Sequence, residues 1–160
     1  MARPDSLQGY LDALGARTPA PASGSGAAVA GAIGAALAEL AARFSDDDEV
    51  AGRLVELRAR LLSLGDEDSA SYADFMRTKS DADRDRTIDV PLAIAETAAE
   101  VAALARRVAE GGNPRVGGDA ESGYTLARAT ASVCARLIEI NLRGAEDDPR
   151  LDRARAAAVG

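Results

Sequence analysis

Histidine is absent from this chain, and cysteine occurs once, at Cys134. The first absence removes the ordinary zinc and iron sites and every catalytic triad built on an imidazole; the second removes an intramolecular disulfide. Proton transfer therefore falls to Asp, Glu, Lys, Tyr or water. Tryptophan is missing too, and aromatic residues make up 3% of the 160 residues although 47% are apolar. A core must then be built from Ala, Leu, Val and Ile, and alanine both favours helix and lets helices approach closely. Basic clusters are scarce. Lys79 is the only lysine and the formal net charge is −7, which argues against nucleic-acid or anionic-membrane partners. Asp5 and Asp12 fall where an export signal would be apolar, so a cytoplasmic protein is expected. The uncharged run from Thr18 to Ala38 is about long enough to span a bilayer. It opens with Pro19, Pro21, Ser23 and Ser25 and is otherwise mostly Ala and Gly, which reads as a tightly packed soluble helix.

What is present is helical periodicity. Leu7, Tyr10, Leu11 and Leu14 make an amphipathic stripe closed by Gly15. The loop from Arg17 to Gly24 follows, and Ser23 or Ser25 is suited to cap a second helix running from about Ser25 to Phe44. The face Ala27, Gly31, Gly34, Ala35 and Ala38 of that helix has almost no side-chain bulk, so another backbone or a ligand can come close. Asp46, Asp47 and Asp48 cap a third helix, whose stripe runs from Val50 through Leu64 and Asp68 to Tyr72 and Phe75. Arg77 to Arg86 reads as a charged, mobile loop. A fourth helix is expected to open around Asp89 and Pro91 and to stop at Gly111-Gly112. The turn to Gly118 leads to Asp119, the expected N-cap of a fifth helix. That helix carries a polar stripe of Glu121, Thr125, Arg128, Ser132, Arg136, Glu139 and Arg143 and is apolar elsewhere. Asp148-Pro149 starts a short final helix. The fold expected is a single all-α domain over residues 1–160, an antiparallel bundle of about five to six helices. The second and fifth helices are too apolar around their circumference for a lone bundle, which predicts a homodimer that buries them.

Against this pattern a few polar residues stand out. Asp68 lies on a core stripe, where an ionised carboxylate costs several kcal/mol unless paired or hydrated. It is either an acid/base or substrate-binding group lining a pocket, or a wet residue where the helix leaves the core. Asn141 faces the buried side of the fifth helix and needs partners, either a ligand or a neighbouring loop carbonyl. Asn113 and Asp119 flank a glycine-rich turn, where turn chemistry and capping compete with a binding role. The segment Pro21-Ala22-Ser23-Gly24-Ser25-Gly26 points backbone N–H groups at the start of the second helix, a place fit for an anionic or polar ligand. Cys134 reads as a buried structural thiol.

Taken in order, the segment Thr18 to Ser25, the small-residue helix AAVAGAIGAALAEL, DEDSASY, VPLAIAETAAEVAALA, GNPRVGGDA and the closing INL resemble the cyclodeaminase/cyclohydrolase (formiminotransferase-cyclodeaminase C-terminal) family, over roughly Leu7 to Leu142. The resemblance implies a dimeric all-helical fold and one-carbon tetrahydrofolate chemistry. Members close 5-formiminotetrahydrofolate to the 5,10-methenyl form with loss of ammonia, or hydrolyse the methenyl form to 10-formyltetrahydrofolate. Pro21, Gly24 and Ser25 match the family's Pro-Gly-Gly-Gly-Ser loop, and Asp68 and Tyr72 its Asp-x-x-x-aromatic element. Gly112-Asn113-Pro114, Asp119 and Asn141 match three further elements. The resemblance thus implies Asp68 or Asp119 as the catalytic acid or base. It implies substrate binding by Pro21, Gly24, Ser25, Tyr72, Asn113 and Asn141. Arg77, Lys79, Arg84 and Arg86 would meet a carboxylated tail. It implies no metal, and no cofactor beyond tetrahydrofolate as the carrier of the substrate carbon. The chain departs from the family at Ala22 and Ser23, where glycines are usual, at Gly118 and Leu137, and in a shorter segment after Phe75. Ala22 and Ser23 would restrict positive φ, so a non-catalytic folate- or partner-binding paralogue is the alternative.

Overall fold

Small side chains decide how closely these helices pack. The computed structural model describes residues 6–142 and 147–159; Asp5 and Arg143 lie outside them. The described residues form α1 (Leu7–Leu14), α2 (Ser23–Arg43), α3 (Asp48–Thr78), α4 (Asp81–Gly111), a 3-10 turn (Pro114–Val116), α5 (Gly117–Leu142) and α6 (Pro149–Val159), with no strand among them. The all-helical expectation holds. Helices α2 to α5 are a four-helix bundle in which each runs antiparallel to its neighbours. Gly24 of α2 lies at Asp68 of α3 and Glu39 pairs with Arg58, so these two run in opposite senses. Arg53–Glu100 and Asp74–Arg86 fix the same relation between α3 and α4. Helix α5 returns along α2, with Thr130 near Gly31 and Gly123 near Gly34.

The α2–α5 seam is the closest approach. A Cβ on Gly34 would stand 2.8 Å from the Gly123 carbonyl oxygen, and one on Gly123 would stand 2.7 Å from that of Gly34. Neither backbone can retreat without opening the bundle. Thr130 closes the seam, its single hydroxyl proton shared between the carbonyls of Ala27 and Leu126, both 3.0 Å away. By length and composition α2 could cross a bilayer, yet 56% of its most apolar stretch is buried within the bundle.

Four expectations about helix ends are corrected. Helix α2 starts at Ser23, with extended Ala22 (φ −138°) as N-cap and no side-chain cap; neither Ser23 nor Ser25 caps it. Both serines lie inside the first turn. The stretch from Arg77 to Arg86 is not a loop, since α3 runs to Thr78 and α4 begins at Asp81. Lys79 terminates α3 in the left-handed region (φ 55°), and Ser80 caps α4 by accepting from the Asp83 N–H while its hydroxyl donates to the Asp83 carboxylate. The charges are consumed in stitching the turn, with Arg77 and Arg86 both paired to Asp74. Helix α4 therefore starts well before Asp89 and carries Pro91 in its interior. Finally, α5 begins at Gly117, which puts Asp119 within the first turn instead of at the N-cap.

An internal proline removes the N–H that would bond the carbonyl four residues back. For Pro91 that carbonyl is Thr87. The Asn141 side-chain amide from α5 donates to the Thr87 carbonyl oxygen at 2.9 Å, supplying the donor that Pro91 cannot. Asn141→Ala is expected to cost roughly 1–2 kcal/mol by stranding this carbonyl. Pro91→Ala in that background restores a backbone donor and should recover most of the loss. Urea melts of the four proteins in this cycle measure the coupling; strictly additive changes would show that the two residues do not serve one carbonyl.

Candidate active site

The buried start of α2 gathers most of the unusual polar residues. Asp68 is only 8% exposed and no ion pair joins it among the described residues. Its carboxylate lies against the first turn of α2. A Cβ at Gly24 would fall no more than 2.6 Å from each of the three carboxyl atoms. Glycine at this position makes room for the acid group. Burial pushes the Asp68 carboxyl up to about 6, opposed by the backbone N–H of Ser25. A carboxylate accepting from uncapped amides at a helix start gains from both the hydrogen bond and the dipole. Of the two readings the sequence leaves open for Asp68, the structure has the buried carboxylate and not the wet one.

Further groups stand around it. Ser25 is buried and its hydroxyl shares a 2.9 Å hydrogen bond with the Tyr10 hydroxyl of α1. Cys134 of α5 is buried close by, and burial together with the neighbouring Asp68 charge pushes its thiol up to about 12. It is a neutral, structural thiol at any physiological pH. Tyr72 stands one turn beyond Asp68 on the same face of α3 and is half-buried. Pro21, buried after a cis peptide bond, leads directly into this turn. Pro21, Gly24, Ser25, Asp68 and Tyr72 are thus assembled at one end of the bundle. Ala22 and Ser23, where the family has glycine, sit there without strain, because Ala22 is extended and Ser23 is helical.

The remaining candidates lie elsewhere. Asn113 ties down the opposite end of α2. Its backbone N–H donates to Ser45 Oγ at 2.8 Å, its side-chain amide donates to the Phe44 carbonyl at 3.0 Å, and its Oδ1 accepts from the Arg115 N–H. Asp119 is half-buried in the first turn of α5 near this end. Twenty-one residues of helix separate the two ends, or roughly 30 Å. Within one chain, Asp68 and Asp119 do not share a cavity. Asn141 is at the Asp68 end of the bundle, with its amide nitrogen engaged by Thr87. Arg84 donates to the Asn141 carbonyl and Lys79 lies 4.9 Å from the Phe75 ring centre, so the basic segment is largely occupied with its own chain.

Sequence reasoning placed Tyr10 in a hydrophobic stripe and missed its part in the site. One signal was available: a tyrosine at the centre of a short apolar face carries a hydroxyl that must find a partner once buried. Among His, Cys, Asp and Glu of the described residues no group of three could hold a metal ion.

Comparison with known proteins places this arrangement. Residues 6–159 match the family described as formiminotransferase-cyclodeaminase, which takes in α6 beyond the span legible from the motifs. A curated relative, the methenyltetrahydrofolate cyclohydrolase of Methylorubrum extorquens, is 27% identical over 92% of this chain and 84% of its own length. The crystal structure of formiminotetrahydrofolate cyclodeaminase from Thermotoga maritima superposes with a TM-score of 0.87 at 22% identity, covering 96% of this chain and 89% of that one. Similarity over nearly the whole length, on a backbone of the same architecture, means that the chain belongs to the formiminotransferase-cyclodeaminase family.

Proposed function

We propose that the protein is a tetrahydrofolate one-carbon enzyme that makes or opens the five-membered ring of 5,10-methenyltetrahydrofolate. The observation that carries this reading is the buried Asp68 carboxylate at the start of α2, which pairs with no cation among the described residues. A carboxyl that titrates at about 6 is mostly ionised at neutral pH, so it serves as the general base. In ring opening, water adds to the amidinium carbon as Asp68 takes its proton. The C–N5 bond then breaks, N5 gains a proton, and the 10-formyl product leaves. In ring closure N10 attacks the formimino carbon, and Asp68 relays the proton that departs with ammonia. Tyr72 offers a face for the pterin, and Asn141 retains Oδ1 as an acceptor. No metal or redox partner enters either balance.

Asn113 and Asp119 join this scheme only through a second copy. An apolar face with little cover runs along α2 through Ile33, Leu40 and Phe44, the last 62% exposed, and continues on α5 with Val133 and Ile140. A two-fold axis across the middle of α2 would bury this face isologously. It would also bring the Asn113–Asp119 end of one copy beside the Asp68 end of the other. We therefore read the working form as a cytoplasmic homodimer. Added to 5,10-methenyltetrahydrofolate, the protein should speed loss of its absorbance, or release ammonia from the 5-formimino compound. Neither activity, together with no folate-induced rise in melting temperature, would reject the enzyme and leave the non-catalytic alternative. Light scattering at the mass of one chain would reject the shared site.

A further inference from the structure

We propose that Tyr10 is a positioning residue of the Asp68 site, its hydroxyl holding the first turn of α2 against the carboxylate through Ser25. The inference rests on the reading of Asp68 as the base, and it deepens that reading.

Helix α1 has eight residues, and Tyr10, 4% exposed, is the only buried one. Eight residues do not make a stable helix alone, and Leu7 and Leu11 are exposed. What fixes α1 to α2 is therefore the tyrosine together with Leu14, whose side chain packs over Gly26. The tyrosine hydroxyl meets Ser25 Oγ at 2.9 Å. Ser25 is in turn pressed against α3: a Cβ on Gly65 would lie 3.5 Å from its carbonyl oxygen and 3.7 Å from its hydroxyl. The backbone N–H of the same serine is the group that favours the ionised form of Asp68. One residue thus carries both contacts, the hydroxyl toward α1 and the amide toward α3.

The need for such a tether follows from the local sequence. Ala22 is the N-cap of α2 and gives no side-chain cap. A first turn without a cap leaves its amides free to fray. From α1 the Tyr10 hydroxyl reaches into this turn by a hydrogen bond, opposite the Asp68 carboxylate that α3 lays against it. It tethers the turn through the Ser25 hydroxyl, while the Ser25 backbone N–H is met by Asp68. The titratable groups beside Asp68 are Tyr72, one turn on along α3, and Cys134 from α5; Tyr10 from α1 reaches it only through Ser25. Helix α2 brings Gly24 and Ser25, and no charged side chain of α2 or α4 perturbs the carboxyl.

The test follows the carboxyl itself. Carbon-13 NMR titration of the full chain, with the Asp68 signal assigned by its loss in Asp68→Asn, gives the midpoint directly. Tyr10→Phe keeps the ring and removes the hydroxyl. It should raise the Asp68 midpoint by about half a pH unit or more and lower kcat about fivefold, with KM little changed. Ser25→Ala should reproduce both effects, and the double variant should be no worse than either single one. An unmoved midpoint overturns the proposal, whatever happens to the melting temperature, and so does additivity of the two substitutions. Should the wild-type protein turn over no folate, the functional reading fails alone, because the titration still decides whether Tyr10 positions Asp68.

Discussion

Replacing Asp68 by asparagine is expected to lower turnover by about two to four orders of magnitude and, at neutral pH, to make the protein more stable. The two effects share one cause. Burial raises the folded-state carboxyl from its ordinary 3.8 to about 6. A group raised in this way favours the fold fully below its unfolded value, and that contribution disappears as the pH climbs through about 6. Holding the charge in place at pH 7.5 thus costs the wild type on the order of 3 kcal/mol. Asparagine never ionises, so its advantage should be about 1 kcal/mol at pH 4.5 and grow to its full size by pH 7.5. Urea denaturation of both proteins at the two pH values measures the difference. A pH-independent gap would mean that the carboxylate is hydrated in solution. In the wild type, activity should fall on acidification with a midpoint near 6, and the residual activity of Asp68→Asn should lack that limb.

The second large effect is expected at the glycine seam. Gly34→Val or Gly123→Val places carbon atoms within 3 Å of the opposing backbone oxygen, where no side-chain rotation relieves the contact. Overpacking of ordinary cores costs about 1–3 kcal/mol and occasionally more; a clash with backbone belongs at the upper end. Serine or alanine should be milder but still destabilising. Gly52→Ala is the control, because nothing lies within 4 Å of its Cβ position and alanine is the better helix former. That variant should be neutral or slightly stabilising. Thermal melts of the three variants rank them, and a Gly34→Val protein as stable as Gly52→Ala would show that α2 and α5 do not meet as described.

The helices were legible where periodicity and caps agreed. Gly15 closing α1, Asp47 opening α3 and Asp148 preceding α6 behave as their chemistry requires. Errors arose where a tertiary contact overrode a local signal. Pro91 reads as a boundary because its missing donor should break a helix, and only the distant Asn141 makes it tolerable. The charged stretch from Arg77 to Arg86 reads as a loop because its ion pairs across the turn involve Asp74 and Asp83 in three dimensions. The site was half legible. Asp68, Gly24 and Ser25 were found through an acid on an apolar face and a glycine-bearing helix start. The grouping with Asn113 and Asp119 was not visible, since chain order says nothing about which end of a bundle a turn occupies. Tyr10 was missed because a buried tyrosine and a buried leucine look alike in a stripe.

Gly24, Ser25 and Tyr72, which touch or flank the Asp68 carboxylate, and Tyr10, which holds Ser25, are all drawn from the first half of the polypeptide. Cys134, carried on the helix that closes the bundle, arrives from far along the chain. Orientation is therefore set by neighbouring helices of the first half of the chain, whereas the burial that raises the proton affinity is completed by α5, whose Cys134 lies beside the carboxylate. A transient opening of the last two helices would leave the acid correctly aimed but chemically ordinary. Shape and reactivity at this centre have separate origins, and a substitution distant from the carboxylate can remove the second while leaving the first untouched.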